Sequence, residues 1–126
     1  MHLIHLTVSP KTSFDIPLSD GYQLYSALLS LINRRNPDTS LKIHNSPLPS
    51  LSTTGLMGKF EKSLHKGHKR VSESEVYHWR IGVTDPDDEK LFIQIITPFL
   101  LDRKELSLHE GELSICSFET QYQSFQ

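Results

Sequence analysis

Two groups of residues in this 126-residue sequence could do chemistry. His44 stands in a stretch rich in Pro, Ser, Thr and Asn, with Lys42 two positions before it. Histidine suits proton transfer because its ordinary pKa of about 6.5 populates both forms near neutrality. A nearby lysine can hold developing negative charge. Taken alone, a histidine in such a loop reads as solvated, and a lysine beside it as facing water. The second group is Lys59, Lys62, His65, Lys66, His68, Lys69 and Arg70, five fixed cations and two titratable rings in twelve residues. Such a cluster suits a phosphate backbone, which it binds with salt dependence and without reading sequence. An ordinary polar hairpin tip is the plainer account.

Other constellations fall away. His65-x-x-His68, His109 and Cys116 are zinc-ligand types, but no Cys-x-x-Cys pair or matching second half exists. No Walker loop, dinucleotide fingerprint or Gly-x-Ser-x-Gly elbow occurs. No metal or cofactor is expected. Tyr77 and Trp79 could stack on bases, as strand aromatics of RNA-recognition folds do. They share a face with Ile81 and Val83, so they are assigned to the core. His5, His78 and Arg80 then line the opposite sheet face, available to a second domain.

These residues must be positioned by regular elements, and the pattern supplies them. Ile4, Leu6 and Val8 alternate with polar neighbours as a half-buried strand closed by Pro10. Ser19 or Asp20 caps a helix with Tyr22, Tyr25, Leu28, Leu29 and Ile32 on one face, and Asn36-Pro37 stops it. Residues 36–55 read as a long loop. A second strand is expected around 56–64, followed by a hairpin segment at 66–70. Alternation is clearest from Val76 to Val83. Asp85-Pro86-Asp87-Asp88 starts a helix whose buried stripe is Leu91, Phe92, Ile95, Ile96 and Phe99. Leu106–Leu108 and Leu113–Phe118, joined through His109-Glu110-Gly111, read as a last strand or bent hairpin. The order strand, helix, strand, strand, helix, strand predicts an α+β, ferredoxin-like (RRM-like) βαββαβ fold. It should have a four-stranded antiparallel sheet with two helices on one face.

Composition bounds the rest. The length fits one domain, residues 1–126, and 37% apolar residues suffice for a core. No run of about 18 apolar residues exists, so no membrane span is expected. The N-terminus lacks the pattern of a secretory signal, and the single Cys116 suits a reducing cytoplasm. A net charge of −2 means that any RNA affinity must come from a local patch.

The segment from Tyr22-Gln23-Leu24-Tyr25 through Ile43-His44-Asn45-Ser46 resembles the repeat-processing endoribonucleases of CRISPR systems, in the RAMP superfamily. So do Leu51-Ser52-Thr53-Thr54 behind it and the close of the chain, 106–115 with Phe118-Glu119. The resemblance implies metal-independent cleavage of precursor CRISPR RNA within its repeats, leaving a 2′,3′-cyclic phosphate and a 5′-hydroxyl. It implies a catalytic His44; Lys42, two residues before it, is the candidate electrostatic partner by position, and Lys59, Lys62, Lys66, Lys69 and Arg70 are the candidate RNA contacts by their clustered charge. Repeat RNA, a second ferredoxin-like domain and a CRISPR effector complex are the implied partners. Family members often carry a tyrosine on the first helix and a lysine after the histidine; Ser30 and Ser50 stand there instead. They also have two ferredoxin-like domains and a C-terminal glycine-rich loop, so this chain is expected to be the N-terminal half. Two alternatives stay open: a non-catalytic RNA-binding or assembly subunit of the superfamily, and a ferredoxin-like protein-interaction domain without RNA.

Overall fold

The computed structural model describes residues 2–35, 51–84, 93 and 105–122, without the side chains of 31–35 and 51. Its elements are β1 (His2–Pro10), β2 (Phe14–Pro17), α1 (Gly21–Arg35), β3 (Leu51–Thr53), β4 (Glu61–Lys62), β5 (His68–Val71), β6 (Tyr77–Val83), β7 (Glu105–Ser107) and β8 (Glu112–Tyr122). Five strands form one antiparallel sheet in the order β3-β6-β1-β8-β7. β1 therefore lies between β6 and β8, its position in a split strand–helix–strand arrangement. The expected count of four strands is corrected to five, because β7 folds back on β8 as a hairpin edge.

A second, three-stranded sheet, β2-β5-β4, was not foreseen. The strand expected around 56–64 does not enter the main sheet. Its place in the main sheet is taken by β3, which lies inside the expected loop and pairs with β6 through Leu51↔Val83 and Thr53↔Ile81. Residues 61–62 go to the small sheet instead, and Met57 makes one isolated bridge to His78. The helix expected from 85 lies outside the described residues except for Ile93, which is helical and exposed.

Alternation in β1 and β6 places Ile4, Leu6, Val8, Tyr77, Trp79, Ile81 and Val83 on one face, all fully buried. Leu24, Ala27 and Leu28 of α1 pack into the same cluster, spaced i, i+3, i+4 along one helical stripe. Trp79 thus sits where the sequence places it. Tyr22 does not: it is 77% exposed, and the buried stripe begins at Leu24. A register shift between Thr7 and Val8 marks a bulge where β1 meets β8, which adds local twist to the sheet. Tyr77 joins the two sheets. Its hydroxyl accepts from the Ser72 N–H at 2.9 Å and donates to the Lys59 carbonyl at 2.6 Å.

Candidate nucleic-acid interface

The basic segment is built as the β4–β5 hairpin. Its turn closes with the His68 N–H donating to the His65 carbonyl at 3.2 Å and the His65 N–H donating to Ser63 Oγ at 3.0 Å. Gly67 takes φ +75°, a left-handed conformation that a side chain would strain. His68 Nδ1 donates to the Lys66 carbonyl at 2.9 Å.

The five cations divide into two kinds. Lys69 lies with its side chain 16% exposed, its ammonium 3.2 Å from Asp20 Oδ2 and 4.1 Å over the Phe60 ring. Asp20 is buried at the start of α1, and it also accepts the Leu56 N–H at 3.2 Å. Its carbonyl accepts the first helical bond, from the Leu24 N–H, so the residue caps the helix through its backbone while its side chain holds the hairpin. The approach is close: a Cβ at Gly55 would stand 2.3 Å from Asp20 Oδ1. Arg70 pairs with Asp15 across β2 and β5 at 3.3 Å, and His65 approaches the same carboxylate at 3.7 Å. Lys59, Lys62 and Lys66 are exposed and belong to no ion pair among the described residues. Two of the five charges therefore brace the small sheet and three face solvent.

Two further surfaces stand near the described strands and helix. On the solvent side of the main sheet a groove of about 420 Å³ is lined by Leu3, His5, Arg80, Glu119, Thr120 and Gln121. His5 meets His78 edge-on with ring centroids 5.3 Å apart, and Thr7 Oγ1 lies 3.4 Å from His78 Nδ1. His5, His78 and Arg80 share this face, as the alternation implied; Glu119 joins them from β8, which only the strand register reveals. Between α1 and the β7–β8 turn a second groove, about 330 Å³, is bordered by Tyr22, Ser26, Ser30, His109 and Glu110. Ser30 is exposed there. His44, Lys42 and Ser50 lie outside the described residues, in the stretch of chain between α1 and β3.

At the far edge Lys11 joins β1 to the β7–β8 hairpin, bonding Glu105 and lying 3.5 Å from Glu112. The Glu105 hydrogen bond holds the Lys11 ammonium above the ordinary lysine range, with both carboxylates adding by charge. Among the described residues no three His, Cys, Asp or Glu side chains gather as a metal site, and no helix is long and apolar enough to cross a membrane.

No family model matches the sequence, and no curated protein does. Solved structures do match. A RAMP protein that binds different RNA substrates superposes with a TM-score of 0.69 at 16% identity, over 100% of this chain and 50% of its own. A Cas6-related gene product of Pyrococcus furiosus gives 0.72 at 16% identity, over 98% and 49%. The fold is that of RAMP proteins. A Cas6 product complex agrees, with a TM-score of 0.62 at 18% identity over 93% of this chain and 39% of the other. The chain spans about half the length, or less, of the RAMP and Cas6 structures it matches. At these identities the likeness defines the backbone fold, and the side chains must carry any functional argument.

Proposed function

We propose that this chain is the N-terminal, ferredoxin-like half of a Cas6-like endoribonuclease that cuts CRISPR precursor RNA within its repeats. The observation that supports this reading is the superposition of 100% of this chain on 50% of a RAMP protein that binds different RNA substrates, and of 93% on 39% of a Cas6 product complex. Cleavage without metal requires a base for the 2′-hydroxyl, a donor for the departing 5′-oxygen and positive charge beside the phosphorane. His44 is the proton-transfer group and Lys42 its electrostatic partner. Lys59, Lys62 and Lys66 supply phosphate contacts, while Lys69 and Arg70 act by holding the hairpin that presents them. A second ferredoxin-like domain completes the RNA cleft, and a CRISPR effector complex receives the product.

One observation favours a second reading, RNA binding or assembly without cleavage. Ser30 lies open on α1, and a serine hydroxyl is a poor substitute for the phenol that family members often place there. Incubating the complete protein with repeat RNA separates the two. The endoribonuclease yields a 2′,3′-cyclic phosphate and a 5′-hydroxyl at one position in the repeat, unaffected by chelator. Stable binding with intact RNA would leave the assembly subunit instead.

A further inference from the structure

The groove on the solvent side of the main sheet contains a row that the proposed cleavage reaction does not use. His5 on β1 is directly opposite Arg80 on β6 and Glu119 on β8. Residues opposed in this way point to the same face with Cβ atoms about 4.5–5.5 Å apart. A guanidinium, an imidazole and a carboxylate thus stand side by side across three adjacent strands. Arg80 and Glu119 are exposed, and neither belongs to an ion pair among the described residues. His5 Nε2 is covered by its surroundings yet has no hydrogen-bond partner. Its ring is steadied by the edge contact with His78, which Thr7 holds in turn.

This row contributes little to the fold. The apolar core lies on the other face of the same strands. Glu119 is also of a type depleted at the centre of protein–protein interfaces. The row does suit one unit of a ribose–phosphate backbone. An arginine fork binds phosphate oxygens, and a carboxylate accepts from a hydroxyl. Glutamate next to a phosphate is repulsive unless it receives a donor. The 2′-hydroxyl is the one donor that a nucleic-acid backbone carries beside its phosphate, and DNA lacks it.

Resting on the RNA reading above, we propose that Arg80, His5 and Glu119 form a ribonucleotide-binding site on the open sheet face. Arg80 holds a phosphate beside the His5 ring, and Glu119 accepts the adjacent 2′-hydroxyl, so that the site distinguishes RNA from DNA. It is separate from the basic hairpin, which grips phosphates of either polymer.

The test compares binding of a single-stranded RNA oligonucleotide and its DNA counterpart to the complete protein, with Arg80→Ala, Glu119→Ala and Lys66→Ala variants. Thermal melts of each variant establish that it is folded. Arg80→Ala should weaken RNA binding about tenfold, in the range of a lost charge-assisted hydrogen bond. Glu119→Ala should weaken RNA binding but leave DNA binding unchanged or stronger, so the RNA-to-DNA ratio falls about tenfold. Lys66→Ala should lower both affinities and leave the ratio intact. An unchanged ratio in Glu119→Ala overturns the proposal, even where the Lys66 effect upholds RNA binding. If Arg80→Ala spares RNA affinity but alters self-association, the face is a protein-docking surface and the proposal is likewise overturned. Wild-type protein that binds neither polymer would remove the RNA reading together with this site.

Discussion

Lys69→Met removes the ammonium that Asp20 holds while keeping most of the side chain's length over Phe60. The sequence places Lys69 in a basic run, where an exposed lysine contributes about 0–1 kcal/mol through its ion pairs. The structure places it otherwise, with 16% of its side chain exposed and 5% of its partner's. Removing one member of a buried pair costs about 3–5 kcal/mol, because the other charge is left without compensation. The Lys69 side chain retains some solvent and Asp20 keeps the Leu56 N–H, so the lower end applies, roughly 3 kcal/mol. For a domain of this size that corresponds to a fall of about 10–15 °C in Tm. Urea and thermal unfolding followed by circular dichroism measure it, with Lys66→Met as the exposed control, expected within about 0.5 kcal/mol of wild type. A Tm for Lys69→Met within about 2 °C of the control would refute the reasoning and return Lys69 to the solvent-facing cations.

Replacing Lys59, Lys62 and Lys66 together with alanine should weaken binding evenly across RNA sequences and reduce the salt-dependence slope by about three, read by filter binding at several salt concentrations. Tyr77→Phe should destabilise by about 1–3 kcal/mol in urea unfolding, since it leaves the Ser72 N–H and the Lys59 carbonyl without their shared partner. Lys11 is held above its ordinary pKa by Glu105, so its folded form keeps the proton to higher pH than the unfolded chain. Its stabilisation is full below the unfolded value of about 10.4 and is lost as pH rises through the folded value. Lys11→Met should therefore flatten the alkaline limb of a Tm-against-pH curve.

What the sequence made legible follows from the range of each interaction. β1 and β6 stood out because one face is buried along their length, which imposes a period of two on Ile4, Leu6, Val8 and on Tyr77, Trp79, Ile81. The start of α1 was legible only as Ser19 or Asp20, of which the structure selects Asp20, and the aromatic Tyr22 lies off the buried face. The spacing Leu24, Ala27, Leu28 defines the stripe. β2 escaped notice because Phe14-Asp15-Ile16-Pro17 alternates for only four residues and its partner β5 lies more than 50 positions away. β3 looked like loop because an edge strand of Leu51-Ser52-Thr53 carries little hydrophobic pattern. The basic hairpin shows the same limit at the level of the site. Its charge was visible, but not that Asp15 and Asp20 fold back to neutralise part of it. Glu119 was hidden for a related reason, since its place beside His5 depends on a β8 register that includes a bulge.

The measurement that bears most directly on the proposed activity is single-turnover cleavage of repeat RNA by the complete protein and its His44→Ala variant, with affinity measured in parallel. Proton transfer by His44 predicts a rate lower by about 10²–10⁴-fold with nearly unchanged RNA affinity, because phosphate contacts dominate binding and the histidine acts in the transition state. Lys42→Ala should reduce the rate in the same direction. Cleavage by His44→Ala at the wild-type rate would contradict the account and make His44 a solvated loop residue.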